Sequence, residues 1–306
     1  MEYRRLGSSG LLVSALGLGT NLGNRLDESA SRAVVDAALD VGVTFIDTAD
    51  VYGKGASETA LGANLGVRRP DVILATKFGS GFGDQPWERG ASRRWVMTAV
   101  EGSLRRLRTD WIDLYQIHTP DAGTPIEETL RALDDLVRAG KVRYVGTSNF
   151  AGWQSADADW TARSEHLARP ISVQDHYNLL RREIEAEVLP SARAHGLGVI
   201  PYFPLASGFL TGKYRPGQPP PSGRLLGSPS ADRILTEANY RRLAAFEAFA
   251  TERGHTVLDL AFAWLLGKPE IGSVIASASS PEQVRTNDAA TAWRLTPEEL
   301  AAVSAL

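Results

Sequence analysis

Apolar and polar positions fall into blocks along this chain. Short apolar runs at 43–46, 72–76, 111–117, 142–147, 171–174, 197–202 and 271–275 are separated by stretches whose apolar residues recur three and four apart. A continuous apolar run of that length reads as a strand buried on both faces, and the longer period reads as an amphipathic helix. A further strand is expected at 15–18. Helices are expected at 27–40, 57–65, 92–108, 126–139, around 151–167, 182–195, 236–253, 256–266, 281–289 and 296–305. Asp27 as an N-cap, the pairs Ala139-Gly140 and His195-Gly196, and Pro281 and Pro297 mark boundaries between them. Residues 2–13 read as a small hairpin turning at Gly7-Ser-Ser-Gly10.

Eight strands alternating with helices, with no break in composition, predict one domain over 1–306. The fold class is α/β, with a (β/α)8 barrel expected and a doubly wound sheet as the competitor. One connection is long. Residues 205–234, with Pro216, Pro219-Pro-Pro221 and Gly223, follow the seventh strand, and such loops serve as lids or binding loops.

Composition narrows the classes of function. A net charge of −3 with 23% charged residues gives no electrostatic footprint for nucleic acid. Cysteine is absent, which excludes disulfides and thiolate chemistry. The five histidines, at 118, 166, 176, 195 and 255, show no ligand spacing, so no metal is expected. No apolar run approaches the ~18 residues of a membrane helix, and the first residues lack a signal-peptide core. A cytoplasmic location is the expectation. The pattern shows no heptad seam, which leaves the oligomeric state open.

Candidate chemistry gathers where strands end, since ligands of α/β proteins sit outside the carboxyl ends of their strands. The run Phe45-Ile46 leads into Asp47, Thr48, Asp50 and Tyr52; the 72–76 strand leads into Lys77; the 111–117 strand leads into His118. A tyrosine is a weak proton donor near neutrality, and a lysine cation beside it favours the phenolate. Asp47 would keep Lys77 charged, and His118 would orient a substrate oxygen. The set suits a carbonyl that receives hydride at carbon while Tyr52 supplies a proton to oxygen.

Three more groups add to this. Ser148, Asn149 and Gln174 can satisfy a carboxamide, and Tyr202 offers a face for ring stacking. The stretch Pro204, Leu205, Ser207, Gly208 through Lys213 lets backbone amides approach a pyrophosphate. Phe82, Trp87 and the 205–234 loop are candidates for the substrate pocket. The alternative, a dinucleotide fingerprint at Gly17, Gly19 and Gly23, has the wrong spacing, and its helix starts too late. Arg105, Arg106 and Arg108 read as a solvated helix face.

Taken together, Asp47-Thr-Ala-Asp-Val-Tyr52-Gly, Ala75-Thr-Lys77-Phe-Gly, Tyr115-Gln-Ile-His118, Gly146-Thr-Ser-Asn-Phe150 and Pro204 to Lys213 resemble the aldo-keto reductase family, block by block and in its order. The resemblance implies a barrel closed at its base by the N-terminal hairpin, with a dinucleotide across the opposite face. It implies Tyr52 as general acid, tuned by Asp47 and Lys77, with His118 orienting the carbonyl. Thr20 and Asn21 match contacts to the nicotinamide ribose, and the segment with Ser277, Ser279, Gln283 and Asn287 matches the adenosine 2′-phosphate site. Family members usually carry lysine or arginine near Ser277, Ser279 or Gln283, whereas this chain has serine, serine and glutamine; NADPH is the expected cofactor, with NADH left open. The expected activity is reduction of a small aldehyde or ketone. An NAD-dependent sugar dehydrogenase and a regulatory subunit like the potassium-channel β subunits are the rival readings.

Overall fold

The computed structural model describes every residue except 24, 25, 219–224, 226, 227 and 229. Two short antiparallel strands open the chain, β1 (Tyr3–Arg5) and β2 (Leu12–Ser14), with Arg4 opposite Val13. Their turn depends on Gly7. Its φ is +60°, and a Cβ there would lie 2.5 Å from the carbonyl oxygen of Gly196. The hairpin thereby sends Leu6, Leu11 and Val13 into one cluster with Phe45, Ala75, Leu114, Ile200 and Ile275. These apolar side chains form the floor of the molecule.

Above that floor stand eight parallel strands: β3 (Leu16–Gly19), β4 (Phe45–Asp47), β5 (Ile73–Phe78), β6 (Ile112–Ile117), β7 (Val142–Ser148), β8 (Pro170–His176), β9 (Gly198–Tyr202) and β10 (Val274–Ala276). They neighbour one another in that order, and β10 returns to pair with β3. The ring closes through a parallel bridge between Val199 and Ile271 and a bond from Gly272 N–H to Val199 O of 3.0 Å. Because residues 271 and 272 make that closure, the last strand begins at Val274, later than the apolar run at 271–275 predicts. The architecture is the (β/α)8 barrel.

Helices lie between the strands: α1 (Glu28–Asp40), α2 (Ala56–Leu65), α3 (Arg93–Leu107), α4 (Ile126–Arg138), α5 (Gly152–Ser164), α6 (Val188–His195), α7 (Ala231–Ile234), α8 (Glu237–Thr251), α9 (Val257–Leu266), α10 (Pro281–Ala290) and α11 (Pro297–Ala305). Asp27 caps α1 as its sequence foretold, accepting from Ala30 N–H at 2.8 Å. The amphipathic α4 turns Leu130, Leu133 and Leu136 inward, and α9 is buried along most of its length. Two expectations are corrected. The helix expected at 182–195 breaks into a 3-10 turn, Glu183–Glu185, and α6. Pro190 explains this, because its ring would clash with the carbonyl of Ala186 in a continuous helix. The 205–234 connection is not wholly irregular, since it holds a 3-10 turn, Ala206–Thr211, and the short α7. Pro219 to Pro221 and Gly223, part of that expected loop, lie outside the described residues.

Candidate active site

The strand ends deliver three of the expected residues to one place. Asp47 closes β4, Lys77 is the penultimate residue of the adjacent β5, and His118 follows β6 directly. Tyr52 reaches them because the chain turns sharply after β4: Asp50 N–H bonds to Lys77 O at 3.2 Å, and Tyr52 N–H to Ala49 O at 3.2 Å. That turn meets the bend which the five-residue spacing from Asp47 to Tyr52 demands.

Lys77 and Asp47 are both buried. Lys77 Nζ donates to Asp47 Oδ2 at 2.5 Å and to Thr48 O at 2.8 Å, and lies 5.3 Å from the centre of the Tyr52 ring. Burial alone would lower the Lys77 pKa. Asp47 and Tyr52 outweigh it and hold its pKa above the ordinary lysine value. The other Asp47 oxygen, Oδ1, accepts from Gln174 Nε2 at 2.9 Å and Gln116 Nε2 at 3.2 Å. Gln116 escaped the sequence reading. The signal was present, since alternation along β6 puts Leu114, Gln116 and His118 on one face, and only Leu114 is apolar.

The His118 ring stands edge-on to Tyr52, with centroids 5.9 Å apart and planes at 79°. Its Nδ1 is buried without a partner among the described residues. Burial first, and then the Lys77 charge, push its pKa down to about 3, so the imidazole is neutral at physiological pH. His176 is likewise lowered to about 4, by burial and then by Arg181. Proton resonances of both rings are therefore expected to stay constant from about pH 5 to about pH 8 in an NMR titration, where ordinary histidines move. The unfolded chain takes up these protons near the usual histidine pKa and the fold does not, so both depressed values lower stability as pH falls.

Beneath Lys77 lies a second buried group. Glu58, fully buried on α2, accepts from Thr76 Oγ1 at 2.6 Å and from Arg106 Nε at 2.7 Å. The reading of Arg106 as part of a solvated face is thus wrong. The helices α2 and α3 approach closely, and the Arg106 guanidinium turns in to the Glu58 carboxylate while also covering Phe82 at 4.8 Å.

The rest of the rim is braced by side chains that bond one another. Asn149, at φ +59°, donates to His118 O at 2.9 Å and Ser148 Oγ at 3.0 Å, and accepts from Tyr202 OH at 2.8 Å. Asn149 thereby ties the ends of β6, β7 and β9 together. Burial, and next Asp175, raise the Tyr202 pKa to about 12, so it stays a phenol. His176 packs against the Tyr202 ring at 5.2 Å. Thr20 is buried after β3 and donates to Asp47 O at 3.0 Å, and Asn21 Oδ1 is buried with no partner among the described residues.

After β9 the backbone takes left-handed values at Phe203 and, past Pro204 and Leu205, at Ala206, Ser207 and Gly208 within the 3-10 turn. Lys213 passes over this turn, its Nζ 3.9 Å from where a Gly208 Cβ would stand. Across the mouth, Ser277, Ser279 and Gln283 are exposed, and Gln283 Oε1 accepts from Ser279 N–H at 2.9 Å and Ser279 Oγ at 3.0 Å. Asn287 is buried on α10. Phe82 packs against Trp95 at 6.2 Å, and Trp87 is exposed beside Arg94. Among the described residues no cluster of three metal-ligating side chains occurs, and no helix is long and apolar enough to cross a membrane.

The residues at the mouth fit a nicotinamide dinucleotide. Gln174 spends its amide hydrogens on Asp47 and Gln116 and keeps Oε1 as an acceptor, while Asn21 Oδ1 is an orphaned acceptor. The left-handed turn with Lys213 beside it has the backbone form and the nearby cation that suit an anion.

A parallel barrel with an ion-paired lysine, a tyrosine and a histidine gathered at its carboxyl end is the arrangement expected of an aldo/keto reductase. The Aldo/keto reductase family model matches residues 15–306, and the chain belongs to that family. Among similar proteins is the "Probable voltage-gated potassium channel subunit beta" of Oryza sativa subsp. japonica, 38% identical over 94% of this chain and 90% of that protein. Its namesake in Arabidopsis thaliana is also 38% identical over the same shares. The "Uncharacterized oxidoreductase YrpG" of Bacillus subtilis (strain 168) is 40% identical over 93% of this chain and 89% of its own.

Proposed function

We propose that this protein reduces an aldehyde or ketone to the alcohol, with Tyr52 as the proton donor. The observation that carries the reading is the buried Lys77–Asp47 ion pair set against the Tyr52 ring beside a neutral His118. A reduced nicotinamide supplies the hydride when bound. Tyr52 gives its phenolic proton to the substrate oxygen, and Lys77 stabilises the charge left on the phenol. Asp47, braced by Gln116 and Gln174, keeps Lys77 in place. His118, uncharged, can donate a hydrogen bond to the carbonyl oxygen without competing as an acid. Gln174 Oε1 and Ser148 would hold the carboxamide, Asn149 would hold Tyr202 beneath the ring, and the turn from Pro204 to Gly208 with Lys213 would take the pyrophosphate. Phe82 and Trp87 are assigned to the substrate side, Thr20 and Asn21 to the ribose.

For the cofactor we favour NADPH, with Ser277, Ser279, Gln283 and Asn287 about its adenosine end. Hydroxyl and amide groups hold a phosphate less firmly than a guanidinium does. Gln283→Arg is therefore expected to raise the preference for NADPH over NADH by about tenfold or more, measured as the ratio of kcat/KM values. Transfer of deuterium from a reduced cofactor labelled at the nicotinamide C4 tests the reaction itself: the label should arrive on the carbinol carbon of the product. Recovery of unlabelled alcohol would contradict it.

The similarity to proteins named as potassium channel β subunits supports a second reading, in which nucleotide binding serves a regulatory role. Tight cofactor retention with turnover far below that of working reductases would favour it.

A further inference from the structure

Two residues before Tyr52, Asp50 occupies a place that the reaction above does not use. It is 1% exposed, and neither carboxyl oxygen has a hydrogen-bond partner among the described residues. The Val51 amide is near enough to favour the charged form without making a well-aligned bond. The groups that face it come from every neighbouring element: Glu58 from α2, Arg106 from α3, Lys77 from β5 and Tyr115 from β6. The Tyr115 hydroxyl is also buried and unpartnered among the described residues.

Charge counting decides the state of this group. Asp47 is paired with Lys77, and Glu58 with Arg106. Asp50 is then a third buried carboxyl served by two cations that are already committed. An unpaired buried carboxylate is far costlier than a buried carboxylic acid. We propose that Asp50 is a positioning residue for the proton transfer: a neutral acid behind Lys77 whose ionisation opposes proton release by Tyr52. Burial, and after it the Glu58 charge, push its pKa up to about 8, with Arg106 and Lys77 opposing.

The direction of the effect follows. When Tyr52 yields its proton, its O–H bond breaks, the alcohol O–H forms, and negative charge develops on the phenolic oxygen. With Asp50 neutral, Lys77 answers to Asp47 and to that oxygen alone. With Asp50 ionised, another negative charge acts on Lys77 and disfavours the developing phenolate. Reduction should therefore slow as pH rises through about 8. This kinetic part rests on the carbonyl-reduction reading, whereas the protonation of Asp50 does not.

Infrared difference spectra of the cofactor-free protein test the protonation. Wild type should lose a protonated-carboxyl stretch around pH 8, the loss should be absent in Asp50→Asn, and Lys77→Met should move it to higher pH. The kcat for carbonyl reduction over the same range tests the consequence. Wild type should fall by about threefold or more across that pH, and Asp50→Asn should not. No protonated-carboxyl band at neutral pH, an unmoved band in Lys77→Met, or identical kinetic profiles for wild type and Asp50→Asn would each overturn the proposal. Should Asp50→Asn fail to fold, wild type and Lys77→Met decide it by infrared alone. Should no carbonyl turn over, the reductase reading fails and the kinetic role with it, and the infrared coupling between Asp50 and Lys77 still upholds or refutes the buried neutral acid.

Discussion

Replacing Tyr52 by phenylalanine is expected to lower carbonyl turnover by about 10²–10⁴-fold, the contribution of a positioned general acid. The loss should fall on kcat, and cofactor affinity should be unchanged. Tyr52 is only partly exposed, and its ring lies 5.3 Å from Lys77 Nζ. The ring remains in Tyr52→Phe, so packing against His118 survives and only the proton is removed. Steady-state kinetics with fluorescence titration of the cofactor would separate the two quantities. A drop in cofactor affinity equal to the drop in kcat would show a damaged site and not a missing acid.

Lys77→Met should be the more destructive change. It leaves the buried Asp47 without its cation, and breaking a buried pair in this way costs about 3–5 kcal/mol. Gln116 and Gln174 would still donate to Asp47 Oδ1, which limits the loss without removing it. Catalysis should suffer as well, because the cation beside the Tyr52 ring is lost. The pH dependence has a definite sign. A lysine whose pKa is raised by folding adds stability that is fully present below the ordinary lysine value and is lost as pH climbs through the raised one. The deficit of Lys77→Met in denaturant unfolding should therefore be steady across neutral pH and shrink in strong alkali. A deficit that grows in alkali would contradict the pairing.

Much of this molecule was legible in its sequence, for physical reasons that also explain the misses. Continuous apolar runs such as Val72 to Ala75 read as strands covered on both faces, and eight strands with helices between leave few architectures. That Asp47, Tyr52, Lys77 and His118 would meet was legible because polar groups at the ends of buried strands converge on one face of an α/β fold. Gln116 was missed because a neutral side chain inside an apolar strand raises no alarm unless its face is counted. Arg106 was misread because helix periodicity cannot tell a solvated arginine from one folded inward on a buried glutamate; that depends on α2 and α3 lying close together, a tertiary fact. The break before α6 was written in Pro190 and could have been read there. Asp50 stood in the quoted motif throughout, yet its lack of partners became visible only once Glu58, Arg106 and Tyr115 were brought around it.

Carbonyl reduction is tested most directly by following the absorbance of reduced nicotinamide over a panel of aldehydes and ketones. NADPH and NADH would be compared, with Tyr52→Phe run alongside. The site predicts substrate-dependent oxidation by the wild-type protein, faster with NADPH, and nearly abolished in Tyr52→Phe although that variant still binds cofactor. Cofactor bound tightly by both proteins, with no oxidation by any carbonyl compound, would contradict it.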